Sequence, residues 1–198
     1  MIDPGGTRSG HVVLIGMMGT GKTTVGRLVA TLLSRPFVDT DEGVEARTGL
    51  SVEELFASKG EASFRAEESA VLAEALADAE PAVIAVAGGA VLDVSNRVLI
   101  RQASADGGLV VWLLADPAML VARVAEGTHR PLLADDPADA LTRLSAQREP
   151  LYAEIADVAI DAADAPLKIG ARIVAQVTGG QIPVLDAPGT VPESGSRS

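Results

Sequence analysis

The stretch Gly16-Met-Met-Gly-Thr-Gly-Lys22-Thr23 fits the phosphate-loop pattern G-x-x-x-x-G-K-[ST], and its flanks are the ones such a loop needs. Before it, His11-Val-Val-Leu-Ile15 is a short apolar run that predicts a strand. After it, Thr24 to Leu33 has the apolar spacing of a helix packed on a sheet. Gly16, Gly19 and Gly21 let the backbone gather its N–H groups at a helix N-terminus, where unpaired donors and partial positive charge hold a polyphosphate. In such a loop Lys22 reaches the terminal phosphates and the Thr23 hydroxyl ligates Mg2+. The competing reading is a glycine-rich turn that binds nothing; the agreement of strand, loop and helix weighs against it.

Outward from the loop, Pro36-Phe-Val-Asp39 reads as a second strand ending in the acids of Asp39-Thr-Asp41. Ligands of open α/β sheets bind at the carboxyl ends of strands, so both acids are expected to face the loop's cleft. If the chain stays extended there, alternation puts them on one side. The alternative is that Asp41 only caps a helix beginning at Glu42. Ser51-Val-Glu-Glu54 is a capping box, and from Gly60 an alanine-rich helix is predicted to run to about Ala79. On it Arg65 and Glu68 share a face, as a functional pair or as a solvated surface ion pair. Pro81 to Val86 is a continuous apolar run, as a buried parallel strand requires. It ends in Ala87-Gly88-Gly89, which either admits a ligand close to the backbone or is a plain turn.

Farther on, a helix is expected over Asp93 to Ala105, a fourth strand over Leu109 to Leu114, and a helix capped by Asp116-Pro117 through Arg123. The polar, Gly- and Pro-broken segment 126–137 suits a mobile lid. A helix from about Ala138 to Tyr152, a fifth strand over Asp157 to Asp161 and a last helix over Leu167 to Val177 complete the pattern. Residues 1–10 and 178–198, rich in Gly, Pro and Ser, are expected to be a disordered leader and tail around a domain of residues 11–177.

The 198-residue chain suits one α/β domain. Its net charge of −11 argues against a nucleic-acid partner, although a few focused cations still suffice for a small anion. The absence of cysteine excludes disulfides and thiolate metal sites. His11 and His129 stand alone, so neither suggests a metal centre, and a bland surface role is expected of both. No apolar run approaches a membrane span, and a soluble cytoplasmic protein is expected.

Taken in order, the loop, Asp39-Thr-Asp41, Gly60-Glu61-x-x-Phe64-Arg65-x-x-Glu68, Gly88-Gly89, Arg130-Pro131-Leu-Leu and Arg148-x-Pro150-Leu-Tyr152 make the sequence resemble shikimate kinase from about Val12 to Val177. The resemblance implies a three-layer P-loop kinase fold with a five-stranded parallel sheet, a lid, and Mg2+- and ATP-dependent phosphorylation of the 3-hydroxyl of shikimate. That reaction gives shikimate 3-phosphate and ADP on the way to chorismate and the aromatic amino acids. It implies a catalytic set of Lys22, Asp41 and Arg130. Nucleotide contacts would come from Gly16, Gly19, Thr20, Gly21, Lys22, Thr23, Thr24, Arg123, Arg130 and Pro131, and the Mg2+ shell from Thr23 and Asp39. Acceptor contacts would come from Asp41, Arg65, Glu68, Gly88, Gly89 and Arg148, the two arginines clamping the carboxylate and Glu68 orienting Arg65. A monomer is the expected state.

Two positions depart from the family pattern. Ala87 stands where a third glycine is usual, and Asp161-Ala-Ala-Asp-Ala-Pro166 lacks a cationic or amide residue over the adenine. Two other readings stay open: a related kinase acting on another polyol or cyclitol, and a nucleotide-binding module without catalysis. The pair Arg65 and Arg148 favours a carboxylate-bearing acceptor, and retention of Lys22, Thr23, Asp39, Asp41 and Arg130 disfavours the module.

Overall fold

A computed structural model describes residues 7–125 and 137–180 of the chain. Five short strands, β1 Val12–Ile15, β2 Phe37–Asp39, β3 Val83–Ala85, β4 Leu109–Leu114 and β5 Val158–Asp161, form one parallel sheet in the order β2-β3-β1-β4-β5. Every residue of β1 and β3 is buried, which explains why both read as continuous apolar runs rather than as alternating ones. Central β1 pairs Val12 with Val83 on one side and with Leu109 on the other, so the phosphate loop leaves from the middle of the sheet.

Among the described residues seven α-helices accompany the strands: α1 Lys22–Leu33, α2 Thr40–Thr48, α3 Val52–Ala77, α4 Val94–Ala105, α5 Pro117–Ala125, α6 Pro137–Ile155 and α7 Pro166–Val177. α1 packs on α7, α2 lies along α3, and α4 and α6 both touch β4. The main core runs through the sheet and these helices. A satellite core of Val44, Leu55, Phe64 and Val71 joins α2 to α3, with the Phe56 and Phe64 rings 4.7 Å apart. No described helix is long and apolar enough to cross a membrane.

Three sequence expectations need correction. The chain is not extended from Asp39 to Asp41: Asp39 is the N-cap of α2, its carboxylate accepting the Asp41 N–H, and Asp41 lies in the first helical turn. By contrast, the capping-box helix and the helix from Gly60 stand as the two expected pieces: α3 is broken at Gly60, whose φ of 79° and ψ of 170° are not helical. His11 is buried; its Nδ1 accepts the Ala82 N–H at 3.0 Å, which leaves Nε2 to donate to the Asp78 carbonyl at 3.1 Å. The end of the expected leader is also tied down. The Arg8 N–H donates to Val177, its guanidinium reaches the Gly108 carbonyl, and Arg35 donates to the carbonyls of Arg8 and Gly10.

Candidate active site

The loop after β1 takes the conformation that its glycines permit, with φ of 139° at Gly16, 81° at Gly19 and 87° at Gly21. Gly21 caps α1 without any side-chain hydrogen bond, and no acid lies in the helix's first turn. α2, α3 and α4 instead each begin under a side-chain cap, from Asp39, Ser51 and Asp93. The first N–H groups of α1 are thus left for an anion. Lys22 folds over the loop, its Nζ donating to the carbonyls of Gly16 (2.9 Å) and Met17 (3.0 Å).

A cleft of about 250 Å³ opens beside the loop, and its walls bring together Gly19, Gly21, Lys22, Thr23, Thr24, Asp39, Asp41, Gly88 and Arg123. The Thr23 hydroxyl donates to Asp39 Oδ2 at 2.7 Å, so the two expected metal ligands meet across the mouth of the loop. Both offer hard oxygen atoms. Among the described residues no group of three or more His, Cys, Asp or Glu is placed to hold a metal. That suits Mg2+, which keeps several waters and takes its other ligands from substrate phosphates. Arg123 bridges the loop and the segment after β5 by donating to the carbonyls of Gly19 (3.4 Å) and Ala162 (3.0 Å). Gly16 and Thr20 of the nucleotide-side set do not line this cleft; the buried Thr20 hydroxyl donates to Met17 O at 2.8 Å and braces the loop from within. Asp164, in the segment lacking a base-facing cation, pairs with Lys168 and Arg172 of α7. Arg130, Pro131 and the lid expected over 126–137, apart from its last residue, lie outside the described residues.

The second half of the site is made of buried charge. Arg65 Nη1 donates to both oxygens of Glu68, at 3.1 and 2.9 Å, and Nη2 donates to Glu61 at 3.2 Å. Glu68 is 1% exposed, which removes the reading of Arg65 and Glu68 as a solvated surface pair. Burial pushes the Glu68 carboxyl above the usual range, Arg65 opposes the shift, and the charge of Asp41 adds to it, so Asp41 is within electrostatic reach of this cluster. The Arg65 guanidinium lies against Gly89, in the space a side chain there would occupy. Arg148, from α6, is 2% exposed, and burial holds its guanidinium below the usual arginine value. Its Nε has no hydrogen-bond partner, and Arg148 forms no salt bridge among the described residues. Leaving a buried cation without a carboxylate of its own costs several kcal/mol unless something else supplies the anion.

Two residues here escaped the sequence reading. Thr40, fully buried between the two acids, accepts the Ala87 N–H on its hydroxyl at 2.9 Å. Tyr152, also fully buried, donates its hydroxyl to the Gly88 carbonyl at 2.6 Å. The available signals were slight: a hydroxyl flanked by two acids, and an aromatic hydroxyl one helical turn after an arginine.

Comparison with known proteins agrees with this geometry. A family model described as shikimate kinase matches residues 18–178. A shikimate kinase of Symbiobacterium thermophilum is 48% identical over 153 residues, 76% of this chain and 85% of that one. One from Halorhodospira halophila is 42% identical over 172 residues, 86% of this chain and 94% of that one. Among solved structures, shikimate kinase from Acinetobacter baumannii in complex with shikimate superposes with a TM-score of 0.80 at 33% identity, covering 87% of this chain and 94% of the other.

Proposed function

Because the chain belongs to the shikimate kinase family, we propose that its two-part site transfers the terminal phosphoryl group of ATP to the 3-hydroxyl of shikimate. The observation that carries the acceptor half is Arg148: a buried guanidinium with an unpartnered Nε and, among the described residues, no carboxylate paired to it calls for a ligand anion. Arg65, already oriented by Glu68, supplies the second arm of a carboxylate clamp. A planar carboxylate suits two guanidinium forks better than any neutral hydroxyl does, which favours shikimate over a neutral cyclitol.

The chain's residues divide the chemistry as follows. The N–H groups at the start of α1 and the Lys22 ammonium receive the β- and γ-phosphates. Thr23 and Asp39 would hold Mg2+, which would neutralise phosphate charge there. Asp41 holds the acceptor hydroxyl in line and takes its proton as the oxygen–phosphorus bond forms and the bond to the ADP oxygen breaks. Gly88 and Gly89 let the acceptor approach the backbone. Arg123 is assigned to the adenine side, Arg130 to closure over the phosphates and Pro131 to the nucleotide edge, as the family resemblance implies.

The test is a coupled ADP-release assay with Mg·ATP, comparing shikimate, quinate, gluconate, a neutral cyclitol and no acceptor. Turnover that depends on shikimate alone is expected. Turnover only with another acceptor would keep the kinase and move the error to the acceptor pocket; ATP binding without turnover on any acceptor would leave a nucleotide-binding module.

A further inference from the structure

Given the role assigned above to Asp41, we infer that Thr40 is a positioning residue for the acceptor half: its buried hydroxyl fastens the start of α2, which carries Asp41, to the backbone of the loop after β3. β2 and β3 run in parallel, with Val83 donating its N–H to the Pro36 carbonyl and Asp39 standing beside Ala85. A ladder advances two residues at a time on each strand, so its next rungs bring the Ala87 N–H opposite residue 40. There the partner strand has ended: Thr40 is the first residue of α2, and its carbonyl is turned along the helix. The Thr40 hydroxyl takes the carbonyl's place and accepts the Ala87 N–H at 2.9 Å.

Other helical threonines use their hydroxyls differently. Thr31, Thr48 and Thr142 each donate to the carbonyl four residues back in their own helix, whereas Thr40 reaches a segment 47 residues away in sequence. Thr40 has no exposed surface and Ala87 is 6% exposed, so solvent cannot take over the bond. The next residue, Asp41, is exposed and lines the same cleft as Ala87 and Gly88. Asp39 holds the turn from the other side, its Oδ2 accepting the Thr23 hydroxyl and its Oδ1 the Asp41 N–H. The two ties have different ends. Asp39 sets the turn against the helix of the phosphate loop, and Thr40 sets it against the acceptor's backbone wall, where the Arg65 guanidinium lies on Gly89. Thr40 thereby fixes how far Asp41 stands from the acceptor hydroxyl, without touching either substrate.

Steady-state kinetics, run below the melting temperature of every variant, compare two matched pairs: wild type with Thr40→Val, and Thr40→Ser with Thr40→Ala. Within each pair the change is the hydroxyl. Its loss is expected to lower kcat on the order of 10- to 100-fold in both pairs, because a displaced acid spoils the in-line geometry. The KM for shikimate and the KM for ATP should each change by less than about threefold, and kcat of Thr40→Ser should stay within about threefold of wild type. In Asp41→Asn, adding Thr40→Val should lower kcat by less than about threefold more, because Thr40 acts through that acid. Unchanged kcat in Thr40→Val with only a lower melting temperature would reduce Thr40 to a structural bond. A rise in either KM without a fall in kcat, or full additivity with Asp41→Asn, would also overturn the inference. If Thr40→Val does not fold, the serine and alanine pair decides: equal kcat in those two variants would refute it. A wild-type protein without shikimate-dependent turnover would refute the functional reading, and the role of Thr40 with it.

Discussion

The two halves of the cleft are built by opposite means. The nucleotide half is contiguous chain: one strand, six loop residues and one helix start, with binding groups that are backbone N–H donors freed by glycine geometry and one lysine at the cleft. The acceptor half is assembled from α3, α6, the start of α2 and the loop after β3, and at its centre Glu68 and Arg148 are charges withdrawn from water, with Arg65 half-buried and Asp41 exposed. Local conformation makes the first; tertiary burial makes the second. In the first half, function and stability are nearly separate, because an uncapped helix end costs little when water can reach it. In the second, they compete, because a buried Arg148 with an unpartnered Nε is maintained at the expense of the fold.

Paired substitutions test that contrast. Lys22→Ala carries the largest expected effect: turnover should fall on the order of 10²-fold or more, because a cation at the transferring phosphates is lost. Its melting temperature should stay within a few degrees of wild type, since the Nζ bonds to Gly16 and Met17 go to carbonyls of an open loop. Near-normal turnover in the coupled assay would remove the phosphate-loop assignment. Arg148→Met should raise the shikimate KM by about 10²-fold while the KM for ATP changes by less than about twofold. Here the melting temperature should not fall and should rise by about 2–4 °C for each kcal/mol recovered by replacing a buried cation with a thioether. A drop of several degrees would show that the charge cluster stabilises the empty protein and would erase the contrast between the halves.

The same contrast explains what could be read in the sequence. The five strands, the phosphate loop and the ends of most helices are written in short runs: apolar stretches, Gly-x-Gly spacing, Ser51 with Glu54, Asp93 and Pro117. Asp39 and Asp41 were found as residues but placed in the wrong backbone state. Nothing local distinguishes a strand that runs on for two residues from one that hands over at once to a capped helix. Arg65, Glu68 and Arg148 were assigned through the family pattern, yet their burial was invisible, because it depends on elements more than eighty residues apart meeting around Gly88 and Gly89. Thr40, Tyr152 and His11 were passed over for the same reason. Each is a polar residue without an assigned role until the fold supplies a backbone group opposite it, at Ala87, Gly88 and Ala82 respectively.

Ala87 gives the smallest expected effect and the finest test of the acceptor half. A methyl group where the family usually has glycine raised two concerns: a required positive φ, or crowding of the acceptor. The first is removed, since Ser34 is the only non-glycine among the described residues with positive φ, and Gly89 itself sits at −91°. The Ala87 N–H is held by Thr40, and the residue is 6% exposed at the cleft wall. Gly89 is the position where a methyl has no room, because the Arg65 guanidinium fills it. Ala87→Gly therefore restores no needed conformation and mainly enlarges the unfolded ensemble, at a cost of about 0.5–1 kcal/mol. Shikimate turnover should stay within about twofold of wild type while the melting temperature falls by a few degrees. If turnover instead rises severalfold with a lower shikimate KM, the methyl group intrudes on the acceptor. Part of the acceptor half's selectivity would then be steric, set by the loop after β3, rather than electrostatic and set by the two arginines.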